Sequence, residues 1–307
     1  MARKAKCLMC QRQIENLASA TPTQYQSGIG YYCEECANTL VARRRRGYND
    51  ENTVFVGKPT NDGHTISKEF EISNHAPFTQ DDDKVKKVFT AFHIHKYLIT
   101  NDCTVFVEMK SPVYNGLNTY NKDIKTLADI VEIERWYQHT DYGTHTNIGH
   151  INFGKTEMDI VRQWRETLVR PLQNAIDADL EGCKLLYGRT WVYYAARLND
   201  YCRCQGLPEG WEYDHGCFIN LQHDNWIEFR MNKFCSVEQD RRATKMSIEF
   251  FDAMHNFAKA VLANRRTYNG QTLRNKNGIV AKKAAEKMVE IFKKYAKEAR
   301  EAQSVTA

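Results

Sequence analysis

The chain has 307 residues, of which 42% are hydrophobic and 26% charged, and it carries a net charge of +5 at pH 7. Such proportions belong to a globular chain able to bury a sizeable core. A membrane-spanning helix is excluded, since no apolar run approaches the roughly 18 residues that one demands.

The charge is uneven. Residues 1–48 hold eight Lys/Arg against three Asp/Glu, residues 49–263 hold 24 against 31, and the last 44 hold 11 against four. An acidic centre between basic ends is unlike a protein whose whole surface binds nucleic acid. It suits a core that gathers carboxylates around divalent cations. The start, Met-Ala-Arg-Lys-Ala-Lys-Cys, lacks the apolar core of a secretory signal, so a cytoplasmic location is expected.

The first predicted unit covers residues 1–48. Cys7-x2-Cys10 and Cys33-x2-Cys36 are separated by 22 residues, a spacing that suits a tetrahedral four-cysteine Zn2+ site. The other six cysteines are scattered and read as ordinary core or surface residues. A module this small has little core, so the metal's main service is to make it fold. Arg43–Arg46 follow, either as cations complementing a helix end or as a docking patch for nucleic acid or a protein partner. Gly47 to Asn52 reads as a linker, and a second domain is expected over residues 53–307.

Within that domain, Val54–Val56, residues 65–72 and residues 103–109 read as strands, and residues 83–98 as a helix. A further helix is predicted over Asn121–Tyr137. A long one is predicted over Thr156–Asp179, capped by Thr156 and bent or restarted at Pro171. Amphipathic spacing marks residues 241–264 and 279–302 as helices. The aromatic stretch Tyr187–Tyr194 resists assignment. Mixed strands and helices without regular alternation argue for an α+β fold with an antiparallel sheet.

The strands carry the chemistry. Side chains alternate across a strand, so Glu69 and Glu71 share one face, and Glu228 and Arg230 another. Glu108 interrupts the apolar run Val105 to Met109, and Gly143 to His150 is a polar strand with His145, Asn147 and Gly149 on one face. Each piece alone is weak: an open sheet often faces solvent with its polar side, and an isolated His is commonly a hydrogen-bonded core residue. No Gly-x-x-x-x-Gly-Lys-Ser/Thr loop is present, and no Ser or Cys sits in a nucleophile motif.

The order of the pieces says more. Glu69-Phe70-Glu71, then Asp102…Glu108…Lys110-Ser111-Pro112, then Gly143-x-His145-x-Asn147, then Trp226-Ile227-Glu228-Phe229-Arg230 resembles the amidoligase family, within the glutamine synthetase-like carboxylate–amine ligases. The likeness spans about residues 63–232, and the double Cys-x-x-Cys module is similar to that of phage-encoded members, which would place the protein in a host cytoplasm. It departs from the family pattern at Asn147, Lys68 and Asp102-Cys103-Thr104, none of which removes a carboxylate.

The resemblance implies a glutamine synthetase-like antiparallel sheet with flanking helices behind the zinc module. It also implies an ATP-dependent ligase that joins a carboxylate to an amine through an acyl phosphate. By the family's arrangement, Glu69, His145 and Glu228 would hold one Mg2+ (or Mn2+), and Glu71 with Glu108 another. Arg230 would meet the transferred phosphate, Asn147 would orient substrate or nucleotide, and Arg241 and Arg242 are either anion contacts or solvated charge. The competing expectation is a non-catalytic binding protein, docked on nucleic acid or a partner through the zinc module and Arg43–Arg46.

Overall fold

In the computed structural model the described residues are 5–6, 13–14, 21–25, 28–33, 55–56, 63–72, 91–92, 95, 97–100, 107–131, 143–192, 195–213 and 215–306. The strands among them are β1 (Ala5–Lys6), β2 (Gln13–Ile14), β3 (Thr21–Tyr25), β4 (Gly28–Tyr32), β5 (Phe55–Val56), β6 (His64–Ile72) and β7 (Leu98–Thr100). They continue with β8 (Val107–Lys110), β9 (Val113–Asn115), β10 (Thr144–His150), β11 (Ile219–Asn220) and β12 (Trp226–Phe229). The helices are α1 (Leu117–Val131), α2 (Lys155–Gln163), α3 (Arg165–Asp177), α4 (Leu180–Tyr187), α5 (Asp200–Cys204), α6 (Val237–Thr267) and α7 (Gly270–Thr306).

The expected mixed α+β architecture is present. Six strands follow the antiparallel path β11-β12-β10-β6-β8-β7, with β9 paired to β6 and β5 added parallel to β9. Two antiparallel hairpins, β1–β2 and β3–β4, precede it. No helix among the described residues is long and apolar enough to cross a membrane.

The chain divides into two compact units, one of Met1–Lys58 with Ser67–Thr144, the other of Pro59–Ile66 with His145–Ala307. In the first unit, β6 pairs with β8 so that Phe70 faces Met109 on one side of the sheet, while Glu69 faces Lys110 and Glu71 faces Glu108 on the other. Phe70 and Met109 are fully buried, and Phe70 lies 6.0 Å from the ring of Phe92 and 5.8 Å from that of Tyr97. Burying this apolar side is what turns the carboxylates to the opposite face, because a one-residue slip would exchange the two sets. Ser111 fixes the start of the pairing: its N–H donates to Lys68 O and its hydroxyl accepts from Lys68 N, both at 2.7 Å.

In the second unit, β10 pairs with β12, setting Ile148 opposite Ile227 and Asn147 opposite Glu228. The apolar side, Ile148, Ile227 and Phe229, is buried, with Phe229 6.3 Å from Phe250 of α6. Helix α6 starts at Ser236, whose hydroxyl accepts from Gln239 N, and its buried stripe includes Met246, Phe250, Met254, Phe257 and Val261. Helix α7 returns along it through Ala284, Met288, Ile291 and Tyr295, all buried. These two helices follow the expected periodicity closely, though both run longer than expected.

Other boundaries differ for physical reasons. The helix expected over residues 83–98 cannot reach Leu98, which opens β7 and pairs with Lys110. Residues 83–90 lie outside the described residues, as do 101–106, 132–142 and Tyr193–Tyr194. The long helix breaks at Trp164 instead of Pro171: Trp164 leaves helical geometry (φ −110°, ψ 14°), and its N–H turns to Val161 O. Pro171 sits inside α3, where the Thr167 carbonyl it deprives of a partner belongs to an exposed residue. The start of α2 is governed by Gly154, whose N–H is taken by the Glu157 carboxylate at 3.1 Å, rather than by Thr156.

Candidate functional site

Each unit carries one cluster of the predicted polar residues. In the first, the pairing of β6 with β8 places Glu69, Glu71, Glu108 and Lys110 on one face of the sheet. Lys110 Nζ lies 3.1 Å from Glu108 Oε2 and 3.8 Å from Glu69 Oε1. The side chains of Glu69 and Glu108 are only 12% and 13% exposed, little enough that water screens their repulsion poorly. Burial, followed by the charge of Glu69, pushes the Glu108 carboxyl up to about 8, and Lys110 offsets only part of this. Near neutral pH the Glu108 carboxyl therefore keeps its proton. Glu71 is held differently, its Oε2 accepting from Gly143 N at 3.2 Å.

The second cluster centres on Glu228, a residue of β12 that is 3% exposed. Its Oε1 accepts from Arg230 Nη1 at 2.7 Å and lies 2.9 Å from His145 Nδ1. Its Oε2 accepts from Asn220 Nδ2 at 2.6 Å and lies 3.5 Å from His223 Nε2. Burial alone would raise this carboxyl. The Arg230 charge and the bonds from His145 and His223 outweigh it and hold Glu228 well below the ordinary carboxylate range. The result is an ionised carboxylate in a dry setting, the arrangement in which charge-assisted hydrogen bonds are strongest.

The structure thus brings Glu228, His145 and Arg230 together in the second unit, and Glu69, Glu108 and Lys110 in the first. Asn147 lies on the same face as Glu228 in the paired strands and is buried. Arg241 and Arg242 stand in the first turns of α6, where Arg242 lies 3.8 Å from Glu238. Cys33 follows β4 and is half-buried. Cys7, Cys10, Cys36 and Arg43–Arg46 fall outside the described residues, as does the linker Gly47 to Asn52.

Several participants carry no local signal. Asn220 reaches Glu228 from β11, a neighbouring strand, and His223 stacks on Trp226 with ring centroids 4.3 Å apart. Lys110 reads in sequence as part of a motif and in the fold as the counter-charge of two carboxylates. Lys68, which departs from an apolar family position, is fully buried with Nζ 5.2 Å from the centre of the Tyr120 ring. A separate network in the first unit joins His95 to Asp123 at 2.5 Å and Asp123 to the Tyr114 hydroxyl.

The donor sets differ in what they can hold. Glu69, Glu71 and Glu108 present hard carboxylate oxygens, the donor type that Mg2+ and Mn2+ take. Glu228 already satisfies Arg230, Asn220 and His145, so it is foremost a hub that orders its neighbours. Because Glu228 engages His145 through Nδ1, ligation by this imidazole would use Nε2. Neither a protein-family model nor a curated protein matches the sequence.

Proposed function

We propose that the chain is an ATP- and Mg2+-dependent carboxylate–amine ligase that forms an amide or peptide bond through an acyl phosphate. The observation that carries this reading is the crowding of Glu69 and Glu108, which leaves one carboxyl protonated near neutral pH unless a cation joins them. The second support is the order of motifs that resembles the amidoligase family, together with the mixed α+β fold and its antiparallel sheet.

In this reading Glu69, Glu71 and Glu108 are cation ligands, and by the family's arrangement so are His145 and Glu228. A bound divalent cation would neutralise phosphate oxygens and ease phosphoryl transfer. Arg230, locked by Glu228, is the residue assigned to the transferred phosphoryl group, since a guanidinium can grip two of its oxygens at once. Asn147 orients substrate or nucleotide, and Arg241 lies among the nucleotide contacts. Cys7, Cys10, Cys33 and Cys36 hold a structural Zn2+, and their module with Arg43–Arg46 brings a macromolecular substrate or partner. Protein, carboxylate and amine would meet in the cytoplasm.

Calorimetric titration with ATP in excess Mg2+ tests the reading. Wild-type protein binds, and Glu69→Gln and Glu108→Gln bind at least about tenfold more weakly, a difference of about 1.4 kcal/mol. ADP release then requires both a carboxylate and an amine, with hydroxylamine serving as the generic amine. Wild-type protein that fails to bind ATP with Mg2+ present refutes the ligase and leaves the non-catalytic binding protein.

A further inference from the structure

Helices α6 and α7 are joined by Tyr268 and Asn269 alone, forming a long hairpin. Its turn end has an unusual charge distribution. From residue 253 to residue 285 there are seven Lys/Arg and no Asp/Glu. Arg265, Arg266, Arg274, Lys276, Lys282 and Lys283 are all exposed, as is Lys259 further down α6. None of them makes an ion pair among the described residues, whereas Lys287, Lys294, Lys297 and Arg300 further along α7 each lie beside a carboxylate.

Helix stability does not account for this. Arg265 and Arg266 occupy the last turn of α6, where cations complement the helix dipole. Arg274 and Lys276 lie early in α7, whose first turn has no acidic residue, and there the dipole favours the opposite sign. A repulsive cluster of this kind suits a polyanion.

Carboxamides and one aromatic accompany the charge. Asn264 Nδ2 donates to Asn277 Oδ1 at 3.0 Å and ties the two arms together, and Lys276 Nζ lies 5.5 Å from the centre of the exposed Tyr268 ring. At 1.5 Å per residue the cations on α7, from Arg274 to Lys283, extend over about 14 Å. That is about four phosphates of one nucleic-acid strand at 3.4 Å each, and Arg265 and Arg266 at the end of α6 add two more cations. A membrane surface fits less well, because it calls for an exposed apolar stripe. Ile279 is exposed at the turn end of α7, but it stands singly: the rest of the stripe, with Ala281, Ala285 and Met288, is buried.

We propose that the turn end of the α6–α7 hairpin binds the phosphate backbone of nucleic acid, independently of the zinc module and of the ligase reading. The test is fluorescence anisotropy of the full chain with a labelled duplex and a labelled single strand, between about 50 and about 200 mM NaCl. The six exposed turn-end cations, each on one phosphate, give a log–log salt slope of about −5 on the duplex and about −4 on the single strand. Replacing Arg265, Arg266, Arg274 and Lys276 with Gln lowers that slope by three to four and weakens binding at least about tenfold. The separate pair Lys282→Gln/Lys283→Gln lowers the slope by about two. Unchanged thermal unfolding shows that these exposed substitutions leave the fold intact. Any of three results overturns the proposal: no binding at about 50 mM salt, an unchanged slope in both variants, or loss of binding confined to an Arg43–Arg46→Gln variant. Tight binding to anionic vesicles that nucleic acid does not displace overturns it as well.

Discussion

Glu108→Gln tests the carboxylate crowding directly. The folded carboxyl is pushed up to about 8, against an ordinary value of 4.5. Between these pH values the folded state holds a proton that the unfolded chain has released. Stability is therefore greatest below about 4.5 and falls as pH rises to about 8. At 1.36 kcal/mol per unit, the full span amounts to a ceiling of about 5 kcal/mol. The surroundings relax around the ionised carboxyl and return part of this, so about 2–5 kcal/mol is the expected range. Glutamine keeps the shape of the protonated acid and loses the titration. The assay is urea unfolding of metal-free protein at pH 5.5 and pH 8. Wild-type should lose stability over that interval while Glu108→Gln stays nearly level and is the more stable of the two at pH 8. Adding Mg2+ at pH 8 should stabilise the wild-type and leave the variant nearly unaffected. Equal pH slopes in the two proteins would refute the argument, because the crowding would then carry no free energy.

Three further outcomes are expected. Glu228→Ala strands the buried Arg230 guanidinium and should cost about 3–5 kcal/mol in chemical denaturation; adding Arg230→Met should recover part of the loss, as removing both charges generally does. Ser111→Ala deletes the bond to Lys68 N and should cost about 1 kcal/mol, seen as a shift in the denaturation midpoint at constant slope. Purified wild-type protein should contain about one zinc per chain by elemental analysis, and Cys33→Ser should lower that content and destabilise the N-terminal hairpins.

Much of the fold was legible in local pattern. Alternation announced β6 and β12, an apolar run around Glu108 announced β8, a glycine-bounded polar stretch announced β10, and helical spacing announced α6 and α7, because burial on one face imposes a period on sequence. Boundaries were less legible. Trp164 breaks a helix whose residues are all compatible with continuing, while Pro171 passes unbroken because the bond it forfeits lies on an exposed side. Leu98 looks equally at home at a helix end or in a strand, and only its pairing with Lys110 decides.

For the candidate site, the sequence alone determined which residues can carry the chemistry and which share a face of a single strand. Glu69 must lie beside Glu71, and Glu228 beside Arg230, since a strand's alternation is a local property of the backbone. Which strands become neighbours, and in what register, is not local. Tertiary pairing alone set Lys110 between Glu69 and Glu108, and brought Asn220, His145 and His223 to Glu228. The protonation states follow from the same source. One glutamate is pushed up and another held down because burial and neighbouring charges act through space, between residues far apart along the chain.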